Sequence, residues 1–247
     1  MKSADQNKVL KDIKNWLRMQ QNLGIKYIKN SDVIKEFINR QDMTVEEEIL
    51  ETSSLEKLKE EIKNCTLCPL HKKRTNPVFG EGPEDALLML VGEAPGREED
   101  LTGRPFVGVS GQLLTKMLRA INIERNSVFI TSVVKCRPPN NRTPNAKEIK
   151  SCKPFLYKQI ELIKPKILLA LGQCAAHAIL DTKVPLKELR AKPHNMKINN
   201  CNLIVFVTYH PAFLLRQYGE KQIFYKRQAW HDLKMLKKAY DKIKDQP

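Results

Sequence analysis

Four short apolar runs, each bounded by turn-forming residues, set the rhythm of the chain beyond residue 65. They are ALLMLV at 86–91, SVFITSVV at 127–134, ILLAL at 167–171 and LIVFVT at 203–208. The first stops at Gly92, the third lies between Pro165-Lys166 and Gly172, and the fourth follows Asn199-Asn200-Cys201-Asn202. Unbroken apolar runs of this length, rich in β-branched residues, predict strands buried on both faces. Between them the apolar positions switch to helical spacing. Helices are predicted at 111–121, at 144–163 with an interruption at Pro154, at 174–180, and from about residue 222 to 242. Strand-helix-strand alternation predicts a parallel sheet with helices on both faces. The pattern before residue 65 differs. Val9, Ile13, Trp16 and Leu17 share one helical period, and Val33, Ile34, Phe37 and Ile38 another, with Gly24 and Asn30-Ser31 between. Ser53 with Glu56 fits a capping box opening a helix that reaches about Lys63. Residues 1–50 are therefore read as a helical N-terminal extension whose role is not legible, a packing appendage being the plainer reading, and residues 51–247 as the main domain.

In an open α/β sheet the chemistry collects where strands end at their carboxyl side. The first strand runs into Gly92-Glu93-Ala94-Pro95-Gly96, the second into Lys135-Cys136-Arg137-Pro138-Pro139-Asn140-Asn141-Arg142, and the fourth into Tyr209-His210-Pro211-Ala212. If these strands are parallel, Glu93, Asn141 and His210 converge on one edge. A lone glycine-flanked carboxylate is a weak signal, since it can equally cap a helix or pair with a basic neighbour. Gly92 and Gly96 would let backbone approach a ligand closely. The loop that follows, to Gly108, is long, polar and glycine-punctuated, with Phe106 as its aromatic. Such loops are more often functional than inert. No Gly-Lys-Ser/Thr closes it, so it is not a phosphate P-loop. Of five histidines, His210 stands apart, because Pro211 fixes the backbone immediately after it. Arg216 falls six residues later in a basic loop suited to a phosphate.

Charge adds a partner class. Lys and Arg number 43 against 28 Asp and Glu, a net +15, and residues 1–64 are neutral, with 12 of each sign. The excess lies wholly in the part with strands, as expected of a polyanion binder; a lysine-rich composition without purpose is the equal alternative. The 247 residues, 41% hydrophobic and 29% charged, suit one or two folded domains. No apolar run nears the roughly 20 residues of a membrane span, and the start lacks the apolar stretch of a secretory signal. Membrane, secreted and collagenous readings are set aside, and a cytoplasmic location is expected.

Six cysteines in a reducing compartment argue for metal ligation or plain buried thiols rather than disulfides. Cys65 and Cys68 form a Cys-x2-Cys pair before the first strand. Cys136 follows the second strand, and Cys152 sits in the next helix. Four sulfurs at one point suit zinc or an iron–sulfur cluster. The wide split between Cys136 and Cys152 suits the larger object better than a zinc ribbon does. Cys174 and Cys201 are read as buried thiols.

Three ordered motifs now form a set: GEAPGREEDLTGRPFVG at 92–108, KCRPPNNRTP at 135–144 and HPAFLLR at 210–216. With the four cysteines, they resemble the family 4 uracil-DNA glycosylases over about residues 58–240. The resemblance implies a three-layer α/β/α sandwich around a central four-stranded parallel sheet. It implies a four-iron four-sulfur (4Fe-4S) cluster on Cys65, Cys68, Cys136 and Cys152. The implied activity is monofunctional hydrolysis of the uracil–deoxyribose bond, without a divalent cation. Glu93 and His210 would be catalytic. Gly92, Glu93, Ala94, Phe106, Ser132, Asn141 and His210 would bind uracil, and Arg137, Arg142, Leu214 and Arg216 would bind DNA, with the apolar 213–215 segment as a wedge. Ser132 departs from the pattern, which commonly has an asparagine there, and puts the strictness of uracil recognition in question. DNA, single- or double-stranded, is the expected partner; a monomer is expected, and sliding-clamp binding is left open. The competing readings are a non-catalytic or broad-specificity damaged-base binder with a structural cluster and, third, a zinc-stabilised RNA-binding protein.

Overall fold

A computed structural model describes residues 52–245 together with Ile49. The chain divides into units Met1–Glu51 and Thr52–Pro247; the expectation of a helical extension over 1–50 lies outside the described residues.

The second unit opens with α1 (Leu55–Asn64). Its N-cap is Ser54, whose hydroxyl accepts from the Lys57 N–H, not the expected Ser53. Both serines precede an amphipathic run whose Leu55, Leu58 and Ile62 are buried. The order then runs β1 (Leu88–Gly92), α2 (Arg97–Thr102), α3 (Val109–Ala120), β2 (Phe129–Ser132), α4 (Ala146–Ile163), β3 (Ile167–Leu171), α5 (Gln173–Leu180), α6 (Leu186–Leu189), β4 (His194–Ile198), β5 (Cys201–Thr208), α7 (Pro211–Leu215) and α8 (Gly219–Lys244).

The sheet has five strands in the order β2-β1-β3-β5-β4. The four apolar runs are its parallel part, with β1 beside both β2 and β3, and β3 beside β5. The expected four-stranded parallel sheet is thus corrected to a mixed one: β4 adds an antiparallel edge against β5. Its sequence, HNMKI, buries Ile198 and leaves Asn195 and Lys197 exposed. A half-solvated edge strand needs no apolar run, so it left no such signal.

Alternation along the strands supplies both faces. Leu88, Leu90, Ile130, Ile167, Leu169 and Phe206 pack with Leu114 and Leu118 of α3, Leu214 of α7, and Leu233 and Leu236 of α8. On the other side α5 packs on β3 and β1, and α1 packs on α4. The result is a central mixed sheet flanked by helices. Helix α4 runs unbroken through Pro154, where the sequence predicted an interruption. Its N-terminus is fixed by a capping box between Asn145 and Glu148, and burial of Cys152, Phe155, Leu156 and Ile160 holds the helix on both sides of the proline. Proline weakens a helix interior, and this packing overrides it.

Register brings the carboxyl ends level. Gly92 pairs with Ser132, and Leu171 with Thr208. Beyond the strands the ladder continues, with Val133 and Val134 N–H donating to the carbonyls of Gly92 and Glu93. Among the described residues, no helix is long and apolar enough to cross a membrane.

Candidate active site and cysteine cavity

A cavity of about 490 Å³ opens at the carboxyl edge of the parallel strands. Glu93 and Ala94 from the exit of β1, Ser132 from β2, Asn141 and Thr143 from the β2–α4 connection, and His210 and Arg216 around α7 all line it. Phe106 completes the wall. The convergence expected of Glu93, Asn141 and His210 is therefore present.

Glu93 is half-buried. Burial raises its carboxyl pKa, opposed by a hydrogen bond from Thr143 and by the charge of Arg216. His210 occupies the N-cap of α7, with Pro211 at the first helical position. The Ala212 N–H donates to His210 Nδ1 at 3.1 Å. That nitrogen is therefore an acceptor, and a neutral ring must carry its proton on Nε2. Burial, helped by the Arg216 charge, pulls the imidazole down to about 4, against a smaller opposing effect from Glu99. The ring is thus a neutral Nε2–H donor at neutral pH. It lies 5.6 Å, centroid to centroid, from the ring of Phe106.

Phe106 sits at φ +51°, a left-handed conformation that few side-chain-bearing residues adopt. Arg125 holds it there. Its guanidinium donates to the carbonyls of Phe106 (3.0 Å) and Pro105 (2.7 Å), and is itself paired with Glu81 at 2.7 Å. Two glycines make the room: a Cβ at Gly92 would stand 2.5 Å from the Phe106 ring, and one at Gly111 1.8 Å from the Phe106 carbonyl oxygen. Gly92, expected at the base edge, does not line the cavity; its visible contribution is this space. Glu99 organises the same loop, its carboxylate accepting from the N–H groups of Gly96, Val107 and Gly108. Sequence reasoning missed Glu99, Arg125 and Thr143. Only Glu99 left a signal, its place three residues into a helix, from which a carboxylate reaches back to the N-cap N–H.

The expected DNA contacts separate. Arg216 is exposed and reaches the cavity. Arg142 also lines it, but its guanidinium makes two bonds to the buried Glu148 (2.6 and 2.9 Å). Arg137 does not line the cavity; its Nε donates to Asn141 Oδ1 at 2.7 Å, occupying that amide oxygen. Leu214 is corrected: it is 2% exposed and part of the core. The α7 turn points it inward, and Phe213 stacks on Tyr209, so Leu215 is the exposed member of the expected wedge.

A second, small cavity is walled by Cys65, Cys68, Cys136 and Cys152, with Ile62, Arg74 and Phe155. Arg74 donates to Cys136 Sγ at 3.1 Å, and the Lys135 N–H to Cys152 Sγ at 3.3 Å. Burial pushes the Cys152 thiol up to about 12 and raises those of Cys65 and Cys136. Among the described residues, no group of three or more His, Cys, Asp or Glu side chains is arranged to hold a metal ion. Lys135 is fully buried beside this cavity. Its amine, pulled down to about 7 by burial, donates to Thr131 Oγ1, Gln159 Oε1 and the carbonyl of Ser132. Cys174 and Cys201 do not line the cavity. Cys201 is buried, as expected, while Cys174 is only partly so.

Comparison with known proteins places this geometry. The Uracil DNA glycosylase superfamily matches residues 79–234. A type-4 uracil-DNA glycosylase of Pyrobaculum aerophilum is 48% identical over 167 residues, 66% of this chain and 85% of the relative. One from Thermotoga maritima is 47% identical over 175 residues, covering 70% and 87%. A type-5 uracil-DNA glycosylase of Pyrobaculum aerophilum is more distant, at 35% over 151 residues, 55% of this chain and 66% of the relative. Matched along the sheet, its carboxyl-edge cavity and most of the length of the type-4 relatives, the chain belongs to the uracil-DNA glycosylase superfamily and, within it, to the type-4 family.

Proposed function

We propose that this protein is a DNA-repair enzyme that excises uracil from DNA by hydrolysing its N-glycosidic bond, leaving an abasic site. The observation that carries the reading is the placement of Glu93 and His210 on one cavity with Phe106, where a carboxylate, a neutral N–H donor and a flat ring can act on one base.

A base inside a duplex cannot be reached, so the nucleotide must turn out of the stack into the cavity. Phe106 offers it a platform, and Ala94 and Ser132, which line the same cavity, supply a backbone group and a hydroxyl for its edge. As the glycosidic bond breaks, the electron pair leaves with uracil, and positive charge grows on the sugar. The His210 Nε2–H donates to the uracil oxygen that gains charge, an interaction whose loss typically costs about 3–4 kcal/mol of barrier. Glu93 as a carboxylate stabilises the cationic sugar and orients water; the water oxygen bonds to the anomeric carbon, and its proton passes to Glu93. Arg216 holds a flanking phosphate, and Leu215 fills the gap left by the base.

We infer also that Cys65, Cys68, Cys136 and Cys152 hold a 4Fe-4S cluster with a structural role. The donor set supports this: four sulfurs around one cavity, two of them receiving N–H bonds that favour thiolates. A cluster is wider than a single ion, so its ligands need not crowd one point. When bound, it would cross-link α1, the exit of β2 and α4.

The test is a single-uracil oligonucleotide incubated with the protein and then treated with alkali. Strand scission at the uracil is expected from the wild type and not from Glu93→Gln. Tight binding without scission by the wild type would overturn the reading in favour of a damage-binding protein.

A further inference from the structure

The outer face of α8 is poorly explained as a solvated surface. Tyr218, which caps the helix, is 81% exposed, Phe224 55%, Ile223 53% and Trp230 41%. Helical spacing sets Ile223, Arg227, Trp230 and Lys234 on one side, with Phe224 at its margin about 100° round from Ile223, away from the buried Ala229, Leu233 and Leu236. Large apolar side chains exposed this closely along one helix mark a contact site more often than chance. Its cations are interleaved with its rings, and the Lys234 amine stands 6.0 Å from the centre of the Trp230 ring. Phe224 is braced from behind, edge to face on Tyr225, which packs in turn on Phe213 and Tyr209. The face begins two residues beyond Arg216, which lines the base cavity. From Tyr218 to Trp230 the helix rises about 18 Å, room for several nucleotides.

We propose that this face is a track for single-stranded DNA flanking the extruded nucleotide. Tyr218, Phe224 and Trp230 stack on unpaired bases, while Arg227 and Lys234 hold phosphates. Charge complementarity selects the occupant, since the chain's +15 lies wholly beyond residue 64 and a polyanion is the matching ligand. The rings select the strand state: unpaired bases offer flat faces to aromatic side chains, whereas a duplex hides those faces in its own stack. The track rests on the glycosylase reading only for its direction, outward from the cavity.

The experiment measures the affinity of the full-length protein, by fluorescence anisotropy, for a uracil-free single strand and for the duplex of the same sequence. Phe224→Ala with Trp230→Ala is expected to weaken single-strand binding roughly tenfold or more, and duplex binding by less than about threefold. Phe224→Tyr is expected to bind as the wild type does. Arg227→Ala with Lys234→Ala should flatten the salt dependence by about one phosphate contact per cation removed. Equal losses on both DNAs, no loss on either, or a change in sedimentation showing that the rings join two copies of the chain would overturn the track. A parallel excision assay separates the two readings. Ring-dependent strand binding in a wild type that excises nothing leaves the track standing without the enzyme. Excision alongside unaltered binding by the variants does the reverse.

Discussion

His210 is set apart from an ordinary histidine by its two nitrogens having different tasks. Nδ1 is held by the Ala212 N–H, which leaves Nε2 as the donor of a residue that lines the cavity, so in the proposed mechanism the ring works without titrating near neutrality. Its pKa is pulled down to about 4, whereas burial raises that of Glu93. In the proposed mechanism the active forms are neutral imidazole and ionised carboxylate, so kcat/KM should fall on the acid side as Glu93 takes a proton, above the usual carboxylate range of roughly 4.3. No step near 6.5 is expected. A pH profile of His210→Asn should be lower by about 10²–10³-fold and keep the same acid limb; a limb near 6.5 that vanishes in the variant would contradict the assignment. Ser132 tests specificity. A hydroxyl rotates to donate or accept, whereas an amide offers both at once, but the backbone at Ala94 remains in the cavity wall. Cytosine should therefore still be rejected, and release of cytosine from a cytosine-containing oligonucleotide would show otherwise. The carboxylate, the imidazole and the aromatic were legible in the sequence because each adjoins a strand end or a glycine-rich loop. Arg125 and Thr143 were not, because they act through contacts made across the fold.

At the scale of elements, the site depends on how strands end. Gly172, at the exit of β3, has φ +87°, and a Cβ there would stand 3.0 Å from His210 Cβ. Gly172→Ala should destabilise the fold by roughly 1–3 kcal/mol through backbone strain, and should also slow excision, since small displacements of a catalytic group cost up to about 10²-fold. Denaturant unfolding and single-turnover rates would separate the two effects; a normal rate would show that His210 has room to spare. Beside the end of β5, Arg190 and Asp232 form a buried ion pair at 2.8 Å, tied also to Thr208 and Tyr209. It joins α6, α8 and the end of β5 directly before His210. Asp232→Ala leaves the guanidinium uncompensated and should cost about 3–5 kcal/mol, read as a drop in the urea midpoint. The four parallel strands were readable as apolar runs, while β4 and the unbroken α4 were not. An edge strand carries a mixed pattern, and burial on either side of Pro154 is a property of the packed molecule.

Across the whole molecule the two cavities divide the labour. The cysteine cavity gathers α1, the exit of β2 and α4; the larger one gathers the strand ends. The four-cysteine set could be listed from spacing alone, and the fold brings it round one void. Lys135, the first residue of the 135–144 motif, lies between, with its backbone N–H on Cys152 Sγ and its amine on the Ser132 carbonyl. Cys152→Ser should lower thermal stability and loosen the 133–145 connection before it disturbs Glu93. Proteolysis within that connection, faster than in the wild type, is the expected sign, and a variant with unchanged stability and activity would remove the structural role from the sulfurs.

The 133–145 connection has a consequence for how the protein dies. It is moored at one end to the sulfurs and lends Asn141 and Thr143 to the larger cavity at the other, while the sheet beneath it has its own ladders and apolar packing. With the proposed cluster bound, the molecule warmed with an iron chelator should therefore fall silent several degrees before it melts, with turnover vanishing while its circular dichroism still reports an intact scaffold.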